Sequence, residues 1–506
     1  MSPASVNFSI GNSDVKFTAA QVGAFFAASR DANPLHRDAA YSRRTQFGQP
    51  VLYGMAAVLY ALGHWSGGRP FKLKSLKAEF RKPLFLGEHY QLIDSSSAGG
   101  RRMRFAKGTV DYAVISFTVE AWEPKPASHP AQHSAHFVAR DAAADEPQMG
   151  ARRACYSIPP DALRALQEAF GLGPQSMPAQ QLAALLWASY HVGMEMPGRQ
   201  ALFSELKMEF VDAADTGHGG DERGAMDIAL NAATFDERFN RYSVAGKGSG
   251  IERFSITAYK RPLPVDFTLQ DVPGFEGLEP PLRSKNVFIS GAARGFGAAL
   301  ARSCFLAGAK LALNYRGDAL PATALRDEIR RAGGEAEIFE GRADDENSMR
   351  NLAQEVGASF GGLDLIVNNA APPIRELQFL EQDNADIAGF CAQNLAITLE
   401  TARHLLPLLR EGGQFLQVST RYLAAPVRGF AHYLAAKGAQ EGLVRGLAQE
   451  FRKTEFIVAR LPRILTDQTN VPFSFDPAAN PGTIARELIL ALKSRGSDNF
   501  RLLELY

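Results

Sequence analysis

The sequence contains few cysteines and no excess of either charge. Its three cysteines, Cys155, Cys304 and Cys391, have the spacing of neither a metal-binding knuckle nor a disulfide framework. We therefore expect no metal site and a reducing, cytoplasmic environment. Lysine and arginine number 55 against 54 aspartate and glutamate residues, so no overall field favours nucleic acid or an anionic membrane as a partner.

Long apolar runs are also missing. No stretch reaches the roughly 18 apolar residues that a membrane-spanning helix needs. The segment from Met1 to Val15 has no basic part followed by an apolar core, which is the pattern of a secretory signal. We expect a protein that is neither exported nor membrane-spanning.

Length and composition indicate several folded domains. The chain has 506 residues, of which 46% are hydrophobic and 22% charged, and a typical domain of about 150 residues suggests about three units. Composition shifts towards proline and small polar residues between Pro124 and Arg153 and again before Lys285. We predict domains over residues 1–125, 154–261 and 285–506, with a linker over residues 262–284.

An internal repeat precedes the second proline-rich segment. GGRPFKLKSLKAEF at residues 67–80 aligns without a gap on PGRQALFSELKMEF at residues 197–210, an offset of 130 residues, with six of fourteen positions identical. The same register pairs Leu52 with Leu182 and Gly63 with Gly193. A duplicated fold is predicted, and chance similarity between two amphipathic segments is the alternative.

Each copy places an apolar helix before strand-like segments. The helices are predicted over residues 54–65 and 181–194, and VISFTVEAW and RFSITAYK alternate with a period of two. This order indicates an antiparallel sheet around a buried helix. Beyond Lys285 the pattern becomes strand, glycine turn, helix and strand, which is typical of a doubly wound parallel sheet. The fold class is therefore multidomain, α+β followed by α/β.

The α/β part opens with a glycine-rich loop between an apolar strand and a helix of small residues. Gly291, Gly295 and Gly297 have the spacing G-x-x-x-G-x-G. Glycines let the backbone turn sharply and approach a pyrophosphate, whose charge the amides of a helix N-terminus can meet. The loop predicts a dinucleotide site.

Two further motifs follow in order, NNA at residues 368–370 and YLAAK from Tyr433 to Lys437. With the glycine loop they resemble the short-chain dehydrogenase/reductase family over residues 285–506, which implies a Rossmann-type sheet. Residues four apart share one face of a helix, so we expect the Lys437 ammonium to lower the pKa of Tyr433 and to make it a general acid near neutral pH.

The resemblance implies a role for each matching residue. Tyr433 protonates a carbonyl oxygen as hydride arrives from the nicotinamide, and Lys437 also holds the ribose. Thr420 stands in the position of the family's serine, thirteen residues before Tyr433, and Ser419 is the alternative. Asn394 matches the asparagine of a water-mediated proton path to the lysine. Further cofactor contacts are assigned to Phe296, Asn369, Ala370, Pro462 and Thr466.

The sequence departs from the family at two positions near the cofactor. Arg463 replaces a glycine, and Arg342 stands where an acidic or amide residue usually binds adenine, so adenine contacts stay unassigned. No acidic side chain ends the second strand to bind the ribose hydroxyls of NAD. Arg316 and Arg294 are expected to pair with the 2′-phosphate of NADPH, and two solvated surface arginines are the alternative.

Another motif lies near the N-terminus, in SRDANPLHRDAAYSRRTQFGQPVLYGMAAV. Asp31, Asn33, Pro34, His36 and Gly54 resemble the signature of MaoC-like (R)-specific hydratases and dehydratases, which are hotdog folds. The Asn-Pro step predicts a turn that brings Asp31 and His36 together. The resemblance implies that these two act as acid and base, and the Gly54 N–H at a helix start would bind the enolate-like oxygen.

One departure and one absence bear on this site. Tyr53 replaces a histidine of the family, which leaves the acid and base in place. The second copy lacks the D-x-N-P-x-H string, so it is expected to be a non-catalytic partner that completes a double hotdog. The apolar cleft between the copies would take an acyl chain.

Together the motifs predict a bifunctional enzyme that reduces a 3-oxoacyl thioester with NADPH and dehydrates the product to a 2-enoyl thioester, in fatty acid or polyketide biosynthesis. The acyl group would be carried by an acyl carrier protein or coenzyme A, and both families imply a homo-oligomer, a dimer or a tetramer. The reverse sequence in β-oxidation, with NAD, is one alternative. A reductase with a silent hotdog scaffold is another.

A basic stretch raises one more question about partners. Its residues are Lys72, Lys74, Lys77, Arg81 and Lys82. They could receive an acidic carrier protein or the phosphates of coenzyme A, but the solvated face of a sheet is the favoured interpretation.

Overall fold

A computed structural model of the chain describes residues 12–95, 100–124, 137–145, 149–211, 226–472, 476–494 and 498–506. The described residues form two compact units, which divide between Leu263 and Pro264, except that Val471 and Pro472 belong to the first unit. No helix within these ranges is long and apolar enough to cross a membrane.

The first unit is an antiparallel sheet with buried helices. Its strands are β1 (Ser13–Lys16), β2 (Lys72–Phe80), β3 (His89–Asp94), β4 (Arg101–Lys107), β5 (Val110–Glu120), β6 (Arg152–Tyr156), β7 (Ala201–Phe210), β8 (Met226–Asp236), β9 (Arg241–Gly248) and β10 (Ile251–Lys260). Its helices are α1 (Ala19–Ser29), α2 (Ala39–Arg43), α3 (Gly54–Ser66), α4 (Pro160–Ala169) and α5 (Ala179–Tyr190).

The strand order shows that the unit is a duplication. The described strands follow the order β1-β3-β4-β5-β2-β7-β10-β9-β8-β6, so the second half repeats the first in reverse about the β2–β7 pair. In that pair Lys77 lies opposite Lys207, and these two residues are separated by the offset of the repeat. A pseudo-two-fold axis therefore passes between them, and the predicted duplicated fold is confirmed.

Two apolar helices fill the interior of this unit. Helix α3 begins at Gly54 and ends where Gly67 adopts a φ of 57°, a conformation that favours glycine. Helix α5 continues as a π-helical turn over His191–Glu195. Most residues of both helices are buried and none is exposed, because the sheet and neighbouring helices cover them. The predicted antiparallel sheet around buried helices is confirmed.

The first proline-rich segment lies partly outside the described residues, at 125–136 and 146–148. Within its described part, Ala143 is buried in the core of the first unit and Phe137 is partly buried against it. The Phe137 ring packs against Tyr156 and Tyr190, with centroids 4.8 and 5.2 Å apart. The Phe137 side chain thus makes contacts with the core that the overall composition of the segment does not suggest.

The second proline-rich segment differs from the predicted linker over residues 262–284. Beyond Leu263 it belongs to the second unit. Phe275 and Leu282 are buried in the core of that unit, and the Arg486 Nε donates to the Gly274 carbonyl at 2.7 Å. The prolines shape the path of this segment, and the apolar side chains between them attach it to the unit.

The second unit is a parallel sheet covered by helices. Its strands are β11 (Asn286–Ile289), β12 (Lys310–Tyr315), β13 (Ala336–Glu340), β14 (Leu363–Asn368), β15 (Leu409–Thr420), β16 (Glu455–Leu461) and β17 (Phe500–Glu504). Its helices are α6 (Gly295–Leu306), α7 (Leu320–Arg331), α8 (Glu346–Phe360), α9 (Asn384–Leu405), α10 (Ala431–Glu450) and α11 (Pro481–Leu492).

The order of these strands creates a crevice at the centre of the sheet. It is β13-β12-β11-β14-β15-β16-β17 with every described pair parallel. The order reverses between β11 and β14, and ligands of doubly wound sheets bind outside the carboxyl ends of strands at this point. Separate apolar clusters cover the two faces, as a parallel sheet requires. The predicted doubly wound sheet is confirmed.

Candidate active sites

The D-x-N-P-x-H motif forms a short turn in the first unit. The Asn33 Oδ1 accepts the Leu35 N–H at 3.0 Å and caps a 3₁₀ turn over Pro34–His36. This turn brings Asp31 and His36 to one pocket of about 910 Å³, which Gly54 also lines. The three residues assigned to dehydration therefore share a pocket.

The Asp31 carboxyl in this pocket is almost fully buried, with 1% of the residue exposed. Its Oδ2 accepts a hydrogen bond from the Ser189 Oγ at 2.8 Å, and its Oδ1 accepts the Asn33 N–H at 3.2 Å. Burial raises the pKa of Asp31 to about 7, because these hydrogen bonds offset only part of the loss of hydration. A large fraction of the carboxyl is therefore protonated at neutral pH and can donate a proton.

The pKa of His36 is shifted in the opposite direction from that of Asp31. Its Nδ1 lies 2.7 Å from the Val51 carbonyl oxygen, which can only accept, so Nδ1 carries the proton and Nε2 keeps its lone pair. Burial lowers the pKa of His36 to about 4, and the charge of Arg261 contributes to the lowering. His36 is therefore neutral at pH 7 and can accept a proton. Such divergent pKa values typify an acid and base pair.

Tyr53, the departure from the family pattern, supports both residues. Its hydroxyl donates to the Asp31 carbonyl oxygen at 2.8 Å. Its ring packs on the His36 imidazole, with centroids 3.9 Å apart. Tyr53 thus fixes the positions of the proposed acid and base from one side.

Gly54 stands at the first position of α3 and lines the same pocket. The first N–H groups of a helix have no acceptor within the helix, so this amide is suited to the oxyanion role predicted for it. A Cβ at this position would lie 2.9 Å from the Phe80 ring. Close packing therefore requires glycine here.

The second copy contributes directly to this site. Ser189 on α5 donates to Asp31, and a Cβ on Gly193 would lie 2.1 Å from the Asp31 Oδ1. The Asn33 Nδ2 donates to the Gly193 carbonyl oxygen at 2.9 Å. Sequence reasoning missed Ser189 and gave the second copy only a structural role. The sequence signal that could have pointed to this contribution was the pairing of Gly193 with Gly63 in the repeat.

The basic residues of β2 have acidic neighbours. Lys72 and Lys74 pair with Glu120 at 3.3 and 3.7 Å, and Lys77 pairs with Glu205 at 3.3 Å. The stretch is therefore a face of mixed charge on the sheet, which agrees with the interpretation favoured from the sequence.

In the second unit the glycine loop forms a tight cradle at the start of α6. Gly291 and Gly295 have φ values of 64° and 55°, which strain any residue with a Cβ. A Cβ on Gly297 would lie 2.2 Å from the Gly291 oxygen and 2.6 Å from the Asn369 Nδ2. The Phe296 side chain is buried in the core, so only its backbone is left for an anion.

Ser290 joins this loop to the NNA motif, although sequence reasoning did not single it out. Its Oγ accepts the N–H groups of Asn369 and Ala370 at 2.9 and 3.0 Å, and donates to the Asn368 Oδ1 at 3.2 Å. The loops after β11 and β14 are thereby held together where the strand order reverses. Asn369 and Ala370 lie beside the glycine cradle, and their contact with a cofactor stays a prediction.

Thr420 and Tyr433 are joined by a hydrogen bond, which places the predicted hydroxyl beside the predicted acid. The Ser419 Oγ instead donates to the Glu441 carboxylate at 2.5 Å, because successive side chains of a strand point to opposite faces. Of the two hydroxyls considered, the geometry favours Thr420.

The pKa of Tyr433 differs from the expectation. Burial raises it to about 12, and the hydrogen bond to Thr420 offsets only part of the rise. The Lys437 Nζ lies 5.9 Å from the centre of the Tyr433 ring and donates to the Val418 carbonyl oxygen at 3.0 Å. Burial lowers the pKa of Lys437 to about 8. The expected lowering of the tyrosine pKa is therefore wrong for the free chain, and Tyr433 is fully protonated at neutral pH.

Asn394 is buried in α9, behind α10. Its Nδ2 donates to the Phe390 carbonyl oxygen at 2.9 Å, and its own carbonyl oxygen accepts the Gln440 Nε2 at 2.7 Å. Its Oδ1 has no hydrogen-bond partner within the described residues. Sequence reasoning missed Gln440, which donates a hydrogen bond to the backbone carbonyl oxygen of Asn394. The side-chain Oδ1 of Asn394 is therefore the acceptor that can take part in a proton path.

The segment Pro462 to Thr466 follows β16 and reaches the glycine cradle. A Cβ on Gly295 would lie 3.4 Å from the Thr466 Cγ2. The guanidinium of Arg463 donates to the carbonyl oxygens of Thr469 and Asp476. Arg463, the departure from the family's glycine, thus holds its own loop in shape.

Three exposed arginines lie in the segments that follow β11, β12 and β13. Arg316 is exposed directly after β12, and Arg294 is exposed at the start of α6. Arg342 is exposed after β13 and pairs with Asp344 at 3.3 Å. The roles of Arg316 and Arg294 towards a 2′-phosphate stay predictions.

Comparison with known proteins agrees with this division of the chain. The model of the short chain dehydrogenase family matches residues 285–470, and the model of the MaoC like domain matches residues 9–116. A short chain dehydrogenase of Burkholderia cenocepacia in complex with NADP is 24% identical, with 44% of this chain and 97% of that chain covered and a TM-score of 0.41.

Curated relatives match the C-terminal part. A hydroxynaphthalene reductase of Aspergillus fumigatus is 29% identical over 34% of this chain and 62% of its own length. A 3-oxoacyl-[acyl-carrier-protein] reductase of Staphylococcus aureus is 27% identical over 33% of this chain and 68% of its own length. A cyclic-di-GMP-binding biofilm dispersal mediator protein of Escherichia coli is 31% identical over 39% of this chain and 76% of its own length. The chain therefore belongs to the short-chain dehydrogenase family and carries a MaoC-like domain before its dehydrogenase domain.

Proposed function

We propose that this chain reduces a 3-oxoacyl thioester with NADPH and dehydrates the resulting 3-hydroxyacyl thioester to a 2-enoyl thioester. The observation that carries the proposal is that Asp31 and His36 line one pocket, where burial raises the pKa of the carboxyl and lowers that of the imidazole, in a chain that also carries Thr420, Tyr433 and Lys437. The similarity to a 3-oxoacyl-[acyl-carrier-protein] reductase supports the substrate class. The carrier would be an acyl carrier protein or coenzyme A.

In the reduction, the chain supplies a proton and a fixed geometry. Gly291 and Gly295 have positive φ values, and α6 begins at Gly295, so the loop can present the amides of a helix N-terminus to a pyrophosphate. The site therefore suits a dinucleotide, which when bound supplies hydride from its nicotinamide. Thr420 would donate to the substrate carbonyl oxygen, and the protonated Tyr433 would deliver its proton there. The Lys437 ammonium would return a proton to Tyr433, and the Oδ1 of Asn394 would accept a hydrogen bond from a water molecule that passes a proton to Lys437.

The preference for NADPH rests on the end of β12. Asn314, Tyr315 and Arg316 offer no carboxylate to bind ribose hydroxyls, and the exposed Arg316 can pair with a phosphate. We expect kcat/KM for a 3-oxoacyl thioester to be at least about tenfold higher with NADPH than with NADH, and Arg316→Ala to remove about tenfold of that preference. Loss of cofactor absorbance measures both.

Arg331, exposed at the end of α7, provides a matched control. Arg331→Ala should keep the preference of the wild type. Equal or better turnover with NADH would contradict NADPH as the cofactor and would favour the oxidative direction. Consumption of neither cofactor would contradict the reductase proposal.

In the dehydration, one proton is removed and another is delivered. The Nε2 of His36 would take the α-proton, and the electrons of that C–H bond would form the new double bond. Asp31 would protonate the 3-hydroxyl group, which leaves as water. The Gly54 N–H would stabilise the negative charge on the thioester oxygen between these events. Transfer of a proton from His36 back to Asp31 then resets the site.

The two pKa values predict the pH dependence of dehydration. The acid must be protonated, so kcat/KM should fall above about pH 7, and the base must be unprotonated, so it should fall below about pH 4. Because the Ser189 hydrogen bond lowers the pKa of Asp31, Ser189→Ala should move the upper limb to higher pH. Initial rates with a 3-hydroxyacyl thioester measure the profile.

A profile that keeps rising above pH 8 or so would contradict the role of Asp31 as acid. An upper limb that does not move in Ser189→Ala would show that another group controls it. Ser249, a hydroxyl buried at the turn before β10, gives a control, since Ser249→Ala should leave both limbs in place.

A further inference from the structure

The two halves of the first unit differ where β2 and β7 separate. These strands pair only over Ser75–Glu79 and Glu205–Glu209. Each strand carries a bulge at an equivalent position, Lys74 and Ser204, where the register with the outer neighbouring strand shifts. Leu73 and Phe203, 130 residues apart, therefore occupy the same place in the two halves.

In one half a side chain covers the backbone of Leu73. The Leu73 N–H donates to the Gln181 Oε1 at 2.8 Å, and the Gln181 Nε2 donates to the Leu73 carbonyl oxygen at 2.8 Å. Gln181 is buried, with 4% exposed. Its carboxamide thus makes both hydrogen bonds that a peptide group of an adjacent strand would make.

In the other half the backbone of Phe203 faces the pocket. The Arg261 N–H donates to the Gln200 carbonyl oxygen at 2.8 Å. Hydrogen-bonded and non-hydrogen-bonded pairs alternate along an antiparallel ladder. Counting from the bonded pair Gln200–Arg261, the pair Leu202–Tyr259 is hydrogen-bonded and the pair Phe203–Ala258 is not. The N–H and carbonyl groups of Phe203 therefore point away from β10, towards the side on which β2 has separated.

In the register of the repeat, Gln181 in the first turn of α5 aligns with Val51, which lies before α3 and bridges to Phe85. Val51 is apolar and cannot make the two hydrogen bonds that Gln181 makes. Val51 and Phe203 both line the pocket that contains Asp31 and His36. The residue that aligns with Gln181 thus brings no carboxamide to Phe203, and both Val51 and Phe203 line the pocket.

We propose that Phe203 binds an amide of the carrier arm of the thioester through its N–H and carbonyl groups, as Leu73 binds the carboxamide of Gln181. The inference rests on the proposed dehydration and adds the recognition of the carrier. Coenzyme A and acyl carrier proteins share a pantetheine arm, whose nearest amide lies two carbons from the sulfur. The Phe80 ring connects this subsite with the start of α3. It lies next to Gly54, and its centroid is 5.1 Å from that of the Phe203 ring.

Substrate analogues give the first test. Two 3-hydroxybutyryl thioesters are compared. The first is the thioester of N-acetylcysteamine, which contains an amide, and the second is the same compound with an ester oxygen in place of the amide N–H. The ester lacks the donor for the Phe203 carbonyl oxygen, so kcat/KM for dehydration should fall about tenfold. Equal kcat/KM for amide and ester would overturn the subsite while leaving dehydration intact. Dehydration of neither compound would overturn the proposed function itself.

A pair of variants at Val51 gives the second test. In Val51→Gln the new carboxamide should fold onto Phe203, raise KM for the amide thioester about tenfold and abolish the difference between amide and ester. Val51→Met has a side chain of similar length without the amide, so it should keep the ratio of the wild type. If Val51→Gln kept that ratio, or if Val51→Met abolished it, the subsite would be overturned. If Val51→Gln does not fold, the comparison of the two substrates in the wild type decides.

Discussion

Replacing His36 with alanine is expected to lower dehydration of a 3-hydroxyacyl thioester by about 10²- to 10⁴-fold, the usual contribution of a general base. The neutral imidazole, whose Nδ1–H donates to the Val51 carbonyl oxygen, keeps a free lone pair on Nε2 that can accept a proton at neutral pH. Reduction of a 3-oxoacyl thioester should keep its rate, since His36 belongs to the first unit. Formation of the enoyl product, followed by its absorbance, measures the loss.

A matched control uses His89, which is exposed on β3. His89→Ala should dehydrate at the rate of the wild type. If His36→Ala kept full dehydration activity, the MaoC-like domain would act as a scaffold for the reductase and the proposed base would be wrong. If His36→Ala lost reduction as well, the two activities would not be separable as proposed.

Replacing Tyr433 with phenylalanine is expected to lower reduction by about 10²- to 10⁴-fold while dehydration of a supplied 3-hydroxyacyl thioester continues. The change removes the proton that reaches the carbonyl oxygen, and the buried ring keeps its volume. Thr420→Val should also lower reduction, because it removes the hydroxyl that bonds Tyr433. Oxidation of NADPH measures both.

Ser419 provides the control for this prediction. Its hydroxyl donates to Glu441 on the other face of β15, so Ser419→Ala should reduce at a rate close to that of the wild type. If Ser419→Ala lost more activity than Thr420→Val, the alternative assignment of the hydroxyl would be correct. Full reductase activity in Tyr433→Phe would contradict the proposed acid.

The features that could be predicted from the sequence depend on local spacing. The offset of 130 residues in the repeat predicted the duplication, and the structure places Lys77 opposite Lys207 at the centre of the sheet. The Asn-Pro step of the D-x-N-P-x-H motif predicted the turn that brings Asp31 and His36 to one pocket. Each of these signals lies within a short stretch of chain or within one alignment.

The features that could not be predicted depend on burial and on distant contacts. Ser189 lies 158 residues from Asp31, and no motif connects them. The spacing of Tyr433 and Lys437 predicted proximity, but the pKa of the phenol depends on loss of hydration, which raised it instead of lowering it. The segment over residues 262–284 has the composition of a linker, but Phe275 and Leu282 bury it against the second unit. Three-dimensional packing decides each of these points.

The central claim is that one chain performs both reactions in sequence. The most direct test supplies the purified protein with a 3-oxoacyl thioester and NADPH and identifies the products by mass. The account predicts a 2-enoyl thioester in the wild type and accumulation of the 3-hydroxyacyl thioester in His36→Ala. A wild-type reaction that stops at the 3-hydroxyacyl thioester would contradict the dehydration, and the absence of any turnover would contradict the substrate class.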